Sequence, residues 1–108
     1  MWKILVIMGF TKVAKTSEIM PGSMKGYVVG DKKIALSNVG GTFYAFEDRC
    51  SHQGQPLAGG LLMGNVVMCL FHGAQFDVTT GKSMNATTKD PVKTFPVKVE
   101  GDDILVDV

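Results

Sequence analysis

Lys33-Ile34-Ala35-Leu36-Ser37, followed by Gly40-Gly41 and then Thr42-Phe43-Tyr44-Ala45-Phe46, is the stretch that decides the fold class. The first run alternates, which is the period of a strand with one face buried. The glycine pair turns the chain, and the second run returns as the other arm of a hairpin. Upstream, Gly26-Tyr27-Val28-Val29 is a run of strand formers ended by Gly30-Asp31, and Phe10-Thr11-Lys12-Val13-Ala14 alternates. Between them the only helix-like piece, Thr16-Ser17-Glu18-Ile19-Met20, is stopped at once by Pro21-Gly22 and amounts to a single turn.

Downstream of the hairpin a long irregular stretch begins at Glu47. Asn65-Val66-Val67-Met68 then reads as a strand, as does Gln75-Phe76-Asp77-Val78, which Thr79-Thr80-Gly81 turns. Residues 82–90 are polar and loop-like. Lys93 to Glu100 alternates, and Gly101-Asp102-Asp103 turns it into Ile104-Leu105-Val106-Asp107-Val108. Short strands separated by turn signals predict an all-β fold, a small antiparallel sandwich or barrel.

The 108 residues suit one domain, 1–108, with residues 1–9 as an extra N-terminal strand or tail. The apolar run Trp2 to Met8 is too short to cross a bilayer and lacks a small-residue cleavage site. Eleven Lys and Arg against ten Asp and Glu leave no basic excess for nucleic acid. These features point to a soluble, cytoplasmic chain, with no membrane and no nucleic-acid partner.

The chemistry lies in the only two cysteines and only two histidines, which fall in two tight pairs. The first is Cys50-Ser51-His52. The second, after an interval of sixteen residues, is Cys69-Leu70-Phe71-His72. Each pair follows a predicted strand, and Gly54, Gly59, Gly60, Gly64 and Gly73 surround them. Glycine lets a backbone curl tightly against a bulky group, and N–H groups in such loops stabilise negative sulfur. Thiolate and imidazole together suit iron or zinc. Zinc fingers pair Cys with Cys and His with His. Here each pair supplies one of each, which suits a two-iron cluster bound by two thiolates at one iron and two imidazoles at the other. A tetrahedral zinc site in a binding module is the main competing reading. A single disulfide, and a Cys–His nucleophile and base, are further alternatives; the last leaves the second pair without a role.

At these residues the chain resembles the Rieske ferredoxins, the small electron-carrier components of bacterial ring-hydroxylating dioxygenase systems. Their pattern is Cys-x-His, an interval, then Cys-x-x-His. Gln53-Gly54-Gln55-Pro56-Leu57 and Gly73-Ala74-Gln75-Phe76-Asp77 also match, as do Thr80-Gly81-Lys82 and Lys93 to Val99 with Gly101-Asp102, so that the likeness runs over residues 10–108. The resemblance implies one [2Fe–2S] cluster per chain on Cys50, His52, Cys69 and His72, with two cluster-binding loops. It implies a monomeric one-electron carrier, not an enzyme, that takes electrons from a reductase and passes them to a terminal oxygenase or similar acceptor. The small subunit of a nitrite reductase-like complex is the alternative of the same fold.

Three departures from related patterns matter, the first two of them from respiratory Rieske proteins. Gln55 and Phe71 stand where those proteins carry a disulfide. Ala74 and Phe76 stand where they place serine and tyrosine hydroxyls near the sulfurs. Fewer hydrogen bonds to sulfur predict a potential near the low end of the Rieske range, about −150 mV rather than about +300 mV. Leu70 replaces a proline common in relatives. His52 and His72 are expected at the loop tips, with a potential that falls as they titrate. Gln53, Gln55, Pro56, Leu57, Leu61, Leu62 and Phe71 offer an apolar, neutral docking or shielding surface. Leu61, Leu62, Met63 and Met68 read as core, Asp48 and Arg49 as solvated, and Trp2 as packing.

Overall fold

The computed structural model describes residues 10–49, 57–69, 73–84 and 91–108. Among them are ten strands in three antiparallel sheets. In the first, β1 (Phe10–Lys15), β10 (Asp103–Asp107) and β9 (Val97–Glu100) lie in that order. The second runs β2 (Met24–Val29), β3 (Lys32–Val39), β4 (Thr42–Glu47) and β8 (Thr94–Phe95), and the third β5 (Leu61–Met63), β6 (Val66–Met68) and β7 (Gln75–Asp77). A 3₁₀ turn, Thr16–Glu18, is the only helical piece among the described residues, as the Pro21-Gly22 stop predicts. No helix among them is long and apolar enough to cross a membrane.

The central hairpin forms as read. Val39 pairs with Thr42 across Gly40 and Gly41, whose φ values of 60° and 97° are open to glycine and costly for other residues. Asn38 secures it: buried to 4% exposure, its Nδ2 donates to the Ile19 carbonyl and its Oδ1 accepts from Gly41 N–H, both at 2.8 Å. A buried amide satisfied at both ends avoids a desolvation penalty of about 1–3 kcal/mol.

The alternation in β3 understates its burial. Ile34 through Asn38 are all buried, because the four-stranded sheet has a core on each face. Ile34, Leu36 and Ala45 pack with Phe95 of their own sheet and with Ala14, Ile104 and Val106 of the first. Ala35 and Phe46, paired across β3 and β4, face the other way, onto Leu57, Val67, Cys69, Phe76 and Val78. Burying Phe46 completely is worth about 1.5–3 kcal/mol. The second cluster joins the central sheet to the strands that carry the chemistry.

Two expectations need correcting. The alternating run 93–100 is not one strand. Pro96 has no N–H to give to a ladder and splits it, so that β8 pairs with β4 and β9 with β10. The irregular stretch after Glu47 contains β5, which pairs with β6 from Leu61↔Met68 to Met63↔Val66. At the edge of its sheet, β5 turns Leu61 (47% exposed) and Met63 (48%) outward, so these are not core residues. Leu62 and Met68 are half-buried. Residues 1–9, with Trp2, lie outside the described residues.

At the opposite side, Glu18 accepts from the Lys15 backbone N–H (2.9 Å) and from the Tyr27 hydroxyl (3.0 Å), with Lys25 Nζ at 4.0 Å. The Lys15 N–H first, and then Tyr27, hold its carboxyl below the ordinary 4.5. Burial and then the Glu18 bond push the Tyr27 phenol from 10.0 to about 12. A phenol that keeps its proton more tightly when folded stabilises the fold fully below its unfolded value of 10.0, and loses that contribution as pH rises through about 12. The depressed Glu18 carboxyl contributes above 4.5 and loses its contribution as pH falls below it. In alkaline spectrophotometric titration the phenolate absent from Tyr27→Phe should titrate near pH 12 in the parent. Glu18→Gln should move it back toward 10.0.

Candidate metal centre

Of the four candidate ligands, Cys69 lies within the described residues; Cys50, His52 and His72 lie outside them. Cys69 follows β6 directly. It is 2% exposed and belongs to the core cluster with Leu57, Ala74, Phe76 and Val78. Its backbone is held twice. Its N–H donates to Ala74 O at 2.8 Å, and its C=O accepts from Gly73 N–H at 3.0 Å. These bonds continue the β6–β7 pairing, in which Met68 pairs with Gln75, by one further step, from Cys69 to Ala74. Gly73, with φ at 75°, makes the return.

The loop that carries Cys50 and His52 departs from β4 and returns through Leu57–Gly60 into β5. Leu57 is fully buried in the core cluster that includes Cys69, so its expected part in a docking surface is withdrawn. Gly60 N–H donates to Leu57 O at 2.9 Å, which turns the returning limb. That limb lies directly on β6: a Cβ on Gly60 would sit 2.1 Å from the Met68 carbonyl oxygen. The residue before Cys69 and the return of the first loop thus touch backbone to backbone, which only glycine allows. Gln53, Gln55, Pro56 and Phe71, the rest of the expected surface, are outside the described residues.

Asp48 is not simply solvated. It is half-buried, and its Oδ1 accepts from the Ala58 N–H at 2.7 Å, bridging the two limbs of the first loop. Arg49 is exposed, as expected. Sequence reasoning missed this bridge, although an aspartate at a loop mouth is a usual acceptor for nearby backbone N–H groups. Ala74 and Phe76, fully buried beside Cys69, offer no side-chain hydroxyl.

The donor chemistry fits a metal cluster. An anionic sulfur among apolar side chains is tolerated only when a positive partner takes up its charge, and thiolate is a preferred ligand for iron–sulfur centres. The hairpin base at Cys69, with the returning limb of the Cys50–His52 segment laid against it, is an all-β frame compatible with a metal-cluster carrier. Comparison with known proteins says which. A family model, the Rieske [2Fe-2S] domain, matches residues 9–96. The ferredoxin component of biphenyl 2,3-dioxygenase from Rhodococcus jostii (strain RHA1) is 43% identical over 94% of this chain and 94% of its own. Among solved structures, a chain of the complex of reduced oxygenase and oxidised ferredoxin in carbazole 1,9a-dioxygenase superposes with a TM-score of 0.86 at 34% identity, covering 94% of each chain. The Sphingomonas yanoikuyae B1 ferredoxin superposes at 0.87 with 25% identity, over 92% of this chain and 98% of that one.

The chain belongs to the Rieske [2Fe–2S] domain family. The Rhodococcus and Sphingomonas relatives are ferredoxins and not oxygenases, and this chain is a one-electron carrier with a [2Fe–2S] cluster.

Proposed function

We propose that this ferredoxin takes single electrons from a reductase and delivers them to the terminal oxygenase of a ring-hydroxylating dioxygenase system. In this reading Cys50 and Cys69 hold one iron, and His52 and His72 hold the other. The observation that carries it is the 43% identity to a dioxygenase ferredoxin component within the Rieske [2Fe-2S] family, and the backbone contact between Gly60 and Met68 supports it by setting the first loop's returning limb against the strand that leads into Cys69. The bound cluster supplies one reversible electron at a time. The protein's own contribution is to exclude water and to fix the ligands. Leu57, Phe76 and Val78 close the thiol side, while the hydrogen-bonded base at Cys69 and Ala74 holds the second loop. The Rhodococcus relative is named as a component of biphenyl 2,3-dioxygenase, and the carbazole complex pairs an oxygenase with a ferredoxin. The shared arrangement supports the same division of labour here, with aromatic substrate choice left to the oxygenase. We place the single domain in the cytoplasm. Both cysteines are committed to the cluster, and a reducing compartment asks for no disulfide.

Reconstitution tests this directly. With the reductase and oxygenase of a biphenyl 2,3-dioxygenase system, the protein should restore ferredoxin-dependent hydroxylation and be reoxidised by the oxygenase. A cluster that the reductase reduces but no ring-hydroxylating oxygenase reoxidises would count against the proposed acceptor.

The buried, hydroxyl-free Ala74 makes a further prediction. Ala74→Ser should raise the midpoint potential, because a hydroxyl favours the more negative reduced sulfur. About 1 kcal/mol of preferential hydrogen bonding corresponds to roughly 40 mV for one electron. Protein-film voltammetry of the two proteins measures it.

A further inference from the structure

We infer that Asp48 is a positioning residue that presets the first ligand loop, an inference resting on the proposal that Cys50 and His52 are ligands. Three elements converge on this one residue. The Asp48 backbone N–H donates to Lys33 O at 3.0 Å, which pins the residue to β3. Its Oδ1 accepts from Ala58 N–H at 2.7 Å, which ties the loop's departing limb to its returning limb. Its Oδ2 lies against Gly26 of β2, where a Cβ would stand 2.9 Å from that oxygen and 3.4 Å from Ala58 Cβ. Gly26 is thus the gap in β2 that the bridge occupies. Glu47 N–H donates to Lys93 O at 2.8 Å, so the residue before the bridge is held as well. The bridge ties Asp48, two residues before Cys50, to Ala58, so the two ends of the intervening segment are held together. A loop closed in advance loses less entropy when its ligands engage, so the bridge should slow cluster release and narrow the range of ligand geometries.

The geometry distinguishes acceptor from charge. An asparagine keeps an oxygen that can accept from Ala58 N–H; an alanine does not. Cluster loss is followed by visible absorbance of the holoprotein with an iron chelator, and ligand geometry by the electron spin resonance of the reduced protein. Asp48→Ala should lose its cluster about tenfold faster, the scale of one hydrogen bond to a charged acceptor. It should also show broadened g features, while its far-UV circular dichroism stays that of the parent. Asp48→Asn should stay within about twofold of the parent with sharp features, a rescue that a purely electrostatic role would not give. Gly26→Ala, which leaves the carboxylate but crowds it, should shift both readouts in the direction of Asp48→Ala, and it carries the test if Asp48→Ala does not fold. Parent-like release and spectra in Asp48→Ala, or in Gly26→Ala in its place, would overturn the inference. So would equal acceleration in the alanine and asparagine variants. Cys50→Ser separates the two levels: a parent-like cluster in that variant sinks the ligand assignment, whereas its loss beside an unaffected Asp48→Ala sinks only the bridge.

Discussion

Cys69→Ala is expected to yield a protein without iron or acid-labile sulfide, lacking visible absorbance. The substitution is nearly isosteric at a position with 2% exposure, and the cavity left by one sulfur costs about 1 kcal/mol. The backbone bonds to Ala74 and Gly73 do not involve the side chain, so the hairpin base survives. Loss of the cluster is therefore attributable to the missing thiolate. An ordinary buried cysteine is a small hydrophobe, whose replacement by alanine would leave colour and metal content unchanged. Iron and sulfide analysis separates these outcomes, with far-UV circular dichroism confirming that the strands persist. Because cluster binding and folding are linked, the apo variant should also melt at a lower temperature than the loaded parent.

The second large effect is expected at Gly60→Ala. Its Cβ would fall 2.1 Å from Met68 O and 3.1 Å from Met68 C, both backbone atoms, so no side-chain rotation relieves the overlap. The returning limb must withdraw from β6, carrying Leu57, a fully buried member of the core cluster, with it. Overpacking of this kind costs about 3 kcal/mol. Against a total stability of about 5–15 kcal/mol, that is a large fraction. The melting temperature should drop by roughly 10–20 °C for a domain of this size. Cluster yield should fall with it, since withdrawal separates the first loop from the strand that leads into Cys69. Gly59→Ala next door meets no atom within 4 Å and serves as the control. Thermal melts that place both variants beside the parent would mean that the two loops are not held together through this contact.

Much of this was legible in the chain because the signals were local. The hairpin at Gly40-Gly41, the turn stopped by Pro21-Gly22 and the strand leading into Cys69 rest on residues a few positions apart. The class of site was legible because its spacing is specific. What remained hidden depends on which layer lies above which. Alternation in Lys33–Ser37 cannot reveal that both faces of β3 are covered, since that follows from sheets formed by distant segments. Leu61 and Met63 are apolar, yet an edge position turns them outward. The division at Pro96 was open to view, because proline cannot serve a continuous central ladder. The bridge from Asp48 to Ala58 was not, since the two residues meet only after the loop between them has closed.

The mixed ligation is tested most directly by pulsed electron spin resonance of the dithionite-reduced holoprotein with ¹⁵N-labelled histidine. Two imidazole nitrogens coupled to a signal whose average g lies well below the free-electron value would place His52 and His72 on the cluster. A reduced signal without nitrogen coupling, or a colourless zinc-loaded protein with no signal at all, would contradict it.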